Sequence, residues 1–195
     1  VDGHSTDYTI QVAKALLPEI RVVPQSGSGK GDAILCGARA ASGEYFLVLD
    51  ADGSQSPEEI PRYIAKAKDG YDLVKGSRFV KGGGTEEEYW HRKLIGRTAQ
   101  MVANFLWKTR FSDIYYGVFL VNRQKFLGLN IRSRRYNIEW ELMIKAARHG
   151  FKIAEVPAYE ARRLHGKSHL SYLRDGWLIA TTVFREFFRG LLGRK

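Results

Sequence analysis

The feature that most constrains this chain is a short apolar run that ends at two aspartates. Residues 45–49 are all apolar and too few for a helix. They lack the polar alternation of a half-exposed strand, so they predict a central strand covered on both faces. Asp50 and Asp52 follow directly, and in extended backbone residues two apart leave the same side of the chain. The sequence therefore predicts paired negative charge at a strand's carboxyl end, where open α/β sheets bind ligands.

The residues after the two aspartates predict a sharp turn into a helix. Ser56 is a suitable N-cap, Pro57 suits the first helical position, and Glu59 is placed for a capping box. Two carboxylates held close together repel each other unless a cation lies between them. Oxygen ligands suit Mn²⁺ or Mg²⁺, and Mg²⁺ is commonly shared between one or two carboxylates and substrate phosphates. We therefore predict a divalent cation at Asp50 and Asp52, with a solvated Asp-Gly turn as the simpler alternative.

Composition indicates one folded domain that attracts anions. The 195 residues are 44% hydrophobic, and 31 Lys and Arg against 21 Asp and Glu give a net charge of +10. Such a surface suits nucleotides, phospholipid headgroups or nucleic acid. The single cysteine, Cys36, excludes an internal disulfide, and no apolar stretch is long enough to cross a bilayer. Val1 resembles the tail of a strand already under way, so we expect a missing N-terminal piece.

Strand, loop and helix patterns alternate along the chain. The predicted strands are residues 20–23, 45–49, 71–75, 118–121 and 151–156, and the predicted helices are 8–17, 32–41, 90–108 and 137–149, with Asp32 as the cap of the second. Alternation of this kind predicts an α/β fold with a mainly parallel sheet.

Basic residues stand in the loops that follow these strands. Lys30 lies in a Gly/Ser loop, residues 25–31, that does not match a Walker A motif but can favour an anion through its amides and its lysine. A plain flexible connection is the alternative for that loop. Arg78 comes just after another strand, and Arg163 begins a basic segment that suits phosphate binding better than a zinc site at its two histidines.

The last 25 residues predict an amphipathic, basic, aromatic-bearing helix. Such a helix can lie in a membrane interface, with about 1 kcal/mol from each basic residue against anionic lipid. Packing on the domain is the alternative. The sequence thus divides into residues 1–170, a main domain that we expect to be truncated at its N-terminus, and residues 171–195, the C-terminal helix.

Taken together and in order, these motifs resemble glycosyltransferase family 2, and within it the polyprenyl-phosphate (dolichol-phosphate) mannosyl- and glucosyltransferases. The landmarks are Asp2-Gly3-His4-Ser5-Thr6-Asp7, Gly29-Lys30-Gly31, Asp50-Ala51-Asp52-Gly53, Gly76-Ser77-Arg78-Phe79, Asp113 with Gly117, Glu155-Val156-Pro157 and Arg163-Leu164-His165-Gly166-Lys167-Ser168. The resemblance implies a GT-A fold, a Rossmann-like three-layer α/β/α arrangement, here without its first strand. Gly3 and Gly96 depart from residues common in that family.

The resemblance also implies residue roles in an inverting, metal-dependent transfer. For the donor it implies nucleotide or diphosphate contacts and the metal site, at Asp2, Lys30, Asp50, Asp52, Arg163 and Ser168. For the acceptor it implies a phosphate held by Arg78 and Arg92, and an acidic residue, Asp113, near the reacting sugar.

The chemistry of the acceptor decides whether a base is needed. A phosphomonoester oxygen is already anionic, so arginines that hold it are enough. A sugar hydroxyl must lose a proton, for which Asp113 is the candidate base. We predict transfer from a GDP-mannose or UDP-glucose type donor to polyprenyl phosphate, by a cytoplasmic enzyme peripheral at the inner face of the cell membrane, without nucleic acid as a partner. The alternatives are a family 2 enzyme with a saccharide acceptor and, more remotely, a non-enzymatic module that binds polyanions.

Overall fold

A mixed four-stranded sheet with helices on both faces forms the centre of the fold. The computed structural model describes residues 1–86, 90–163 and 171–192, with the side chains of 90–96, 172–173 and 191–192 outside that description. Within these residues the strands are β1 (Tyr45–Val48), β2 (Leu73–Ser77), β3 (Gly84–Thr85), β4 (Phe119–Asn122), β5 (Ile153–Pro157) and β6 (Tyr159–Glu160). The helices are α1 (Thr9–Leu16), α2 (Lys30–Ala40), α3 (Ile60–Lys68), α4 (Trp90–Trp107), α5 (Arg123–Gly128), α6 (Ile138–Arg148) and α7 (Tyr172–Leu192), with a 3₁₀ turn at Pro57–Glu59.

The strand order is β1-β4-β2-β5, and β4 runs against the other three strands. Strands β2 and β5 pair in parallel, whereas β4 pairs antiparallel with both β1 and β2. The predicted α/β class is confirmed, but the sheet is mixed because of β4. The prediction of a central strand at residues 45–49 is wrong for the described sheet, where β1 lies at an edge and is half-buried. A short buried run is equally apolar in either orientation, so its direction is not encoded in the local pattern.

Apolar side chains cover both faces of the sheet. On one face Leu73, Phe119 and Val121 belong to a core that includes Trp140 and other residues of α6. On the opposite face Tyr63 of α3 packs within the second core cluster. Burial on both sides gives the three-layer arrangement that the sequence predicted.

The N-terminal region forms a single bridge where the sequence predicted a strand at residues 20–23. Asp2 pairs with Pro24, with hydrogen bonds of 2.9 Å from the Asp2 N–H to the Val23 carbonyl and from the Gln25 N–H to the Asp2 carbonyl. A bridge of one residue pair is too short for a ladder, so residues 20–23 are not a strand in the structure.

Two predicted caps differ in the structure. Helix α2 begins at Lys30, so Asp32 lies in the first turn, where its carboxylate accepts from the Gly27 N–H at 2.7 Å. The Ser56 hydroxyl does cap the turn that precedes α3, by accepting from the Glu58 N–H at 3.2 Å. The Glu59 carboxylate does not close a capping box, because it accepts from the Tyr159 N–H at 3.1 Å. The Asp32 and Glu59 carboxylates thus accept hydrogen bonds from N–H groups outside their own helices. The spacing of residues near a helix start does not predict such partners.

The C-terminal helix packs against α6 and α4. Its buried face carries Asp175, Ile179, Thr182 and Glu186. Arg185 and Arg189 both pair with the Glu186 carboxylate, at 3.3 and 3.2 Å. This helix therefore contacts the domain, and its division from residues 1–170 stays a prediction. Within the described residues, none of the helices has the length and apolar character needed to cross a bilayer.

Candidate active site

Asp50 is held at the end of β1 by two side chains from different parts of the chain. Lys30 donates to its Oδ2 at 2.9 Å, and Gln55 donates to the same oxygen at 3.1 Å. The Asp50 N–H in turn donates to Gln55 Oε1 at 2.7 Å, and Gln55 is buried. Gln55 thus fixes both the backbone and the carboxylate of Asp50. Sequence reasoning missed it, although its place in the same turn, five residues after Asp50, was a signal.

Asp52 is held by its own turn and by a distant arginine. Its Oδ1 accepts from the Ser54 N–H at 3.1 Å and from the Ser54 hydroxyl at 2.6 Å, and Arg163 Nε lies 3.2 Å from Oδ2. Partial burial acts to raise the pKa of Asp52, but the Ser54 hydrogen bonds and the charge of Arg163 outweigh it, so the pKa lies below its usual value. Asp52 is therefore an ionised carboxylate near neutral pH.

A cleft of about 500 Å³ opens beside this turn. Its lining includes Asp50, Gln55, Pro57, Tyr159 and Ala161. The segment after β6 is fixed to the aspartate turn, because the Ala161 N–H donates to the Ser54 carbonyl at 2.9 Å. Asp50 therefore lines an open cleft, and Asp52 lies in the same turn, between the lining residues Ala51 and Gly53.

The two aspartates fit a divalent cation that takes its other ligands from elsewhere. Within the described residues no group of three or more His, Cys, Asp or Glu side chains could hold a metal by itself. Asp50 and Asp52 retain side-chain exposures of 30% and 20%, so their oxygens are within reach of solvent. Two carboxylates completed by phosphate oxygens and water are a usual magnesium arrangement. Such a cation would share its coordination with a bound diphosphate.

Gly117 comes very close to this pair of charges. A Cβ built on Gly117 would lie 2.7 Å from Asp50 Oδ2 and even nearer to Lys30 Nζ. A larger residue there would push the Lys30 ammonium or the Asp50 carboxylate aside. Glycine at this position therefore leaves room for their contact.

Lys30 lies between two carboxylates. Its Nζ is 2.9 Å from Asp50 Oδ2 and 3.2 Å from Oε1 of Glu139, the second residue of α6. Burial acts to lower the pKa of Lys30, but the two carboxylates outweigh it and raise the pKa. Glu139 is buried beside Lys30, which its place in the first turn of α6 does not by itself reveal.

The glycines around Lys30 allow close backbone packing. Gly29 has a φ of +91°, and a Cβ on Gly31 would lie 2.6 Å from the backbone of Arg134. The Asp32 N–H donates to the Arg134 carbonyl at 3.1 Å. The loop is therefore packed against residues 133–134, and what it brings to the site is the charge of Lys30.

Arg78 and Asp113 form a buried, two-point ion pair. Arg78 donates through Nε at 2.7 Å and Nη2 at 3.0 Å to the two Asp113 oxygens, and its Nη1 donates to Glu160 at 2.6 Å. The backbone N–H groups of Arg78 and Tyr116, both at 3.2 Å, also donate to Asp113. The pKa of Arg78 is raised, because its two carboxylate partners outweigh the opposing effect of burial.

Glu155 of β5 fixes the loop that carries Asp113. Its carboxylate accepts from the Ser112 N–H at 2.9 Å and from the Asp113 N–H at 3.3 Å. Gln100 of α4 secures the same loop by accepting from the Ile114 N–H at 3.2 Å. Glu155 was a sequence landmark without an assigned role, and the structure shows this one.

Among the described residues, Asp2 has no hydrogen bond or ion pair with these groups. The Asp2 carboxylate accepts from its own loop, with the Ser5 hydroxyl at 2.5 Å, and this hydrogen bond is the main reason that the pKa of Asp2 is lowered. Ser168 and the Arg92 side chain lie outside the described residues. The structure thus brings together Lys30 with Asp50, Asp52 with Arg163, and Arg78 with Asp113.

Comparison with solved structures identifies the fold. The chain superposes with a TM-score of 0.68 on glucosyl-3-phosphoglycerate synthase from Mycobacterium tuberculosis, crystallised with Mn²⁺, uridine diphosphate and phosphoglyceric acid. The match covers 96% of this chain and 66% of that one, at 20% sequence identity. This likeness confirms the predicted GT-A fold. Glycosyltransferases that use nucleotide sugars are one class of enzymes with this fold.

The chain belongs to glycosyltransferase family 2. The model of the family described as "Glycosyl transferase family 2" matches residues 1–128. A dolichol-phosphate mannosyltransferase of Pyrococcus furiosus is 35% identical over 185 residues, 89% of this chain and 52% of that protein. The glycosyltransferase AglJ of Haloferax volcanii is 31% identical over 191 residues, 95% of this chain and 61% of that protein. The chain therefore spans about half to three fifths of these relatives.

Proposed function

We propose that this chain transfers a sugar, with inversion, from a nucleoside-diphosphate sugar to polyprenyl phosphate. The observation that carries the proposal is the aspartate turn after β1, where Asp50 lines an open cleft and pairs with Lys30, and Asp52 in the same turn pairs with Arg163. The relative named as a dolichol-phosphate mannosyltransferase supports a lipid phosphate as the acceptor. Residues 1–170 would form the catalytic domain, and residues 171–195 would contact the membrane at its cytoplasmic face.

The donor diphosphate would lie over the aspartate turn. A Mn²⁺ or Mg²⁺ ion held by Asp50 and Asp52 would supply positive charge for the leaving diphosphate. Lys30 and Arg163 already lie within about 3 Å of these carboxylates, so both could also donate to phosphate oxygens. Asp2 and Ser168 keep their proposed donor contacts on the strength of the family resemblance.

The contacts of Asp113 favour a phosphate acceptor over a hydroxyl. Both of its oxygens are bound by Arg78, and its side chain is only 2% exposed. Proton removal from a hydroxyl would require this ion pair to open, whereas a phosphate acceptor needs no base. Bonds to Asp113 and Glu160 use three of the five Arg78 guanidinium N–H groups, so the others could hold an acceptor phosphate together with Arg92.

A two-acceptor assay tests the proposal. We expect the purified chain with Mn²⁺ to move label from GDP-mannose or UDP-glucose to polyprenyl phosphate, with an anomeric configuration opposite to that of the donor. Thermal stabilisation by each nucleotide with Mn²⁺ would identify the base, because tight ligands raise the melting temperature. Transfer only to a saccharide hydroxyl would refute polyprenyl phosphate as the acceptor. Full activity in the presence of a chelator would refute the requirement for a divalent metal.

The outer face of α7 is expected to bind membranes. Trp177 and Phe184 are 70% and 67% exposed on this face, with Phe188 beside Phe184 at a ring distance of 5.4 Å. We expect Trp177→Ser with Phe184→Ser to weaken binding to anionic vesicles about tenfold or more, because two large apolar side chains no longer enter the lipid. Co-sedimentation with vesicles measures the effect.

A matched pair of substitutions controls for the loss of exposed apolar surface. Val12 and Leu16 of α1 are also exposed, at 53% and 81%. Val12→Ser with Leu16→Ser should leave vesicle binding near the wild-type level. Equal losses in both double variants would mean that α7 is not the contact.

The salt dependence of vesicle binding should be weaker than the number of basic residues in α7 suggests, because Arg185 and Arg189 pair with Glu186.

A further inference from the structure

We propose that Glu139 is a positioning residue that sets how strongly Asp50 attracts a divalent cation, and that it acts through Lys30. The inference rests on the proposed function, because it concerns the cation expected at Asp50. Glu139 does not itself face the cleft; its carboxylate lies behind the Lys30 ammonium, 3.2 Å from Nζ.

The geometry makes Lys30 a shared counter-ion. Its ammonium contacts one partly exposed carboxylate, Asp50, and one buried carboxylate, Glu139, whose side chain is only 4% exposed. Glu139 Oε2 has no hydrogen-bond partner among the described residues, so the charge of Glu139 is compensated mainly by nearby ammonium groups. A buried carboxylate with so few partners draws Lys30 strongly toward itself.

The charges of the cluster give the expected effect a sign. Asp50, Lys30 and Glu139 together comprise two carboxylates and one ammonium, so their net charge is negative. Without the Glu139 charge, Lys30 neutralises Asp50 alone, and a cation meets a neutral pair. Without the Lys30 charge, the cation meets the full negative charge of Asp50. Lys75, a buried lysine on β2 whose Nζ also has no hydrogen-bond partner among the described residues, stays constant throughout.

A neighbour on the same helix provides a matched control. Glu141 is equally buried, but its carboxylate accepts from the Ser133 hydroxyl at 2.6 Å and pairs with Lys145 at 2.7 Å. It belongs to the packing of α6 and has no contact with Lys30 or Asp50 among the described residues. Glu141→Gln therefore reports what loss of a buried carboxylate on α6 does by itself.

The experiment measures Mn²⁺ binding directly, by titration calorimetry and by the paramagnetic resonance of free Mn²⁺, without and with a nucleoside diphosphate. We expect Glu139→Gln to weaken Mn²⁺ binding about tenfold, the scale of one unit charge acting on a nearby divalent ion in a solvent-rich site. Lys30→Met should tighten it in the absence of nucleotide. The double variant should return close to wild type, because its local charge is again negative.

Each outcome decides the inference. Opposite shifts in the two single variants, with recovery in the double variant and no shift in Glu141→Gln, support it. Equal affinities in wild type and Glu139→Gln, or the same loss in Glu139→Gln and Glu141→Gln, overturn it while leaving the proposed function intact. If wild type binds no Mn²⁺ even with nucleotide, the metal part of the proposed function fails as well. Should Lys30→Met not fold, failure of the double variant to recover wild-type affinity still overturns the inference, because both buried charges are then removed together.

Discussion

Replacing Asp52 with asparagine is expected to lower sugar transfer by at least about 100-fold, the scale lost with one group that stabilises transition-state charge. The amide oxygen can still accept from Ser54, whose N–H and hydroxyl lie 3.1 and 2.6 Å from Asp52 Oδ1. The turn should therefore keep its shape while the site loses one negative charge. Initial rates at saturating donor over a range of Mn²⁺ concentrations measure the effect.

The control for Asp52 is an aspartate with similar chemistry and no place in the cleft. Asp69 is exposed at the end of α3, where its Oδ2 lies 3.0 Å from Lys66. Asp69→Asn should leave the rate within about twofold of wild type, because exposed ion pairs contribute little. Wild-type rates in Asp52→Asn at every Mn²⁺ concentration would remove the aspartate turn from the mechanism.

Replacing Arg78 with methionine is expected to lower the free energy of unfolding by about 3–5 kcal/mol, the usual effect of breaking a buried ion pair from one side. The variant leaves Asp113 buried without its two-point partner and leaves Glu160 without Nη1. Urea denaturation followed by circular dichroism measures the loss. Arg62→Met is the control, since Arg62 is a half-exposed arginine with one carboxylate partner, Glu59, at 3.5 Å and a hydrogen bond to the Pro157 carbonyl at 3.2 Å.

The same ion pair separates the two acceptor hypotheses. Asp113→Asn removes a charge but keeps the side-chain shape, so with polyprenyl phosphate we expect a loss in rate well below 100-fold. If the acceptor were a hydroxyl and Asp113 its base, the loss should reach at least about 100-fold. The measurement is therefore the rate of Asp113→Asn divided by the rate of the wild type, taken with each acceptor. A loss of 100-fold or more with polyprenyl phosphate would contradict a purely structural role for Asp113.

The sequence by itself determined the elements that depend on short spacing. The apolar run of β1 and the Ser56 cap are local patterns, and the strand and the cap both appear where they were predicted. The place of β1 at the edge of the described sheet was not encoded in that run. The order of motifs along the chain also indicated the family and the GT-A fold, which the comparisons confirm. These features follow from backbone geometry and hydrophobic burial, which act over a few residues.

Only the tertiary structure decided which charges meet. Lys30 contacts Asp50 across 20 residues, and Arg78 contacts Asp113 across 35. Glu139 is brought under Lys30 by the packing of α6 behind the glycine loop, and β4 runs antiparallel between β1 and β2. Ion pairs and strand directions depend on how distant segments of the chain pack against each other. A local pattern of residue types does not specify which distant residue a charged side chain will contact.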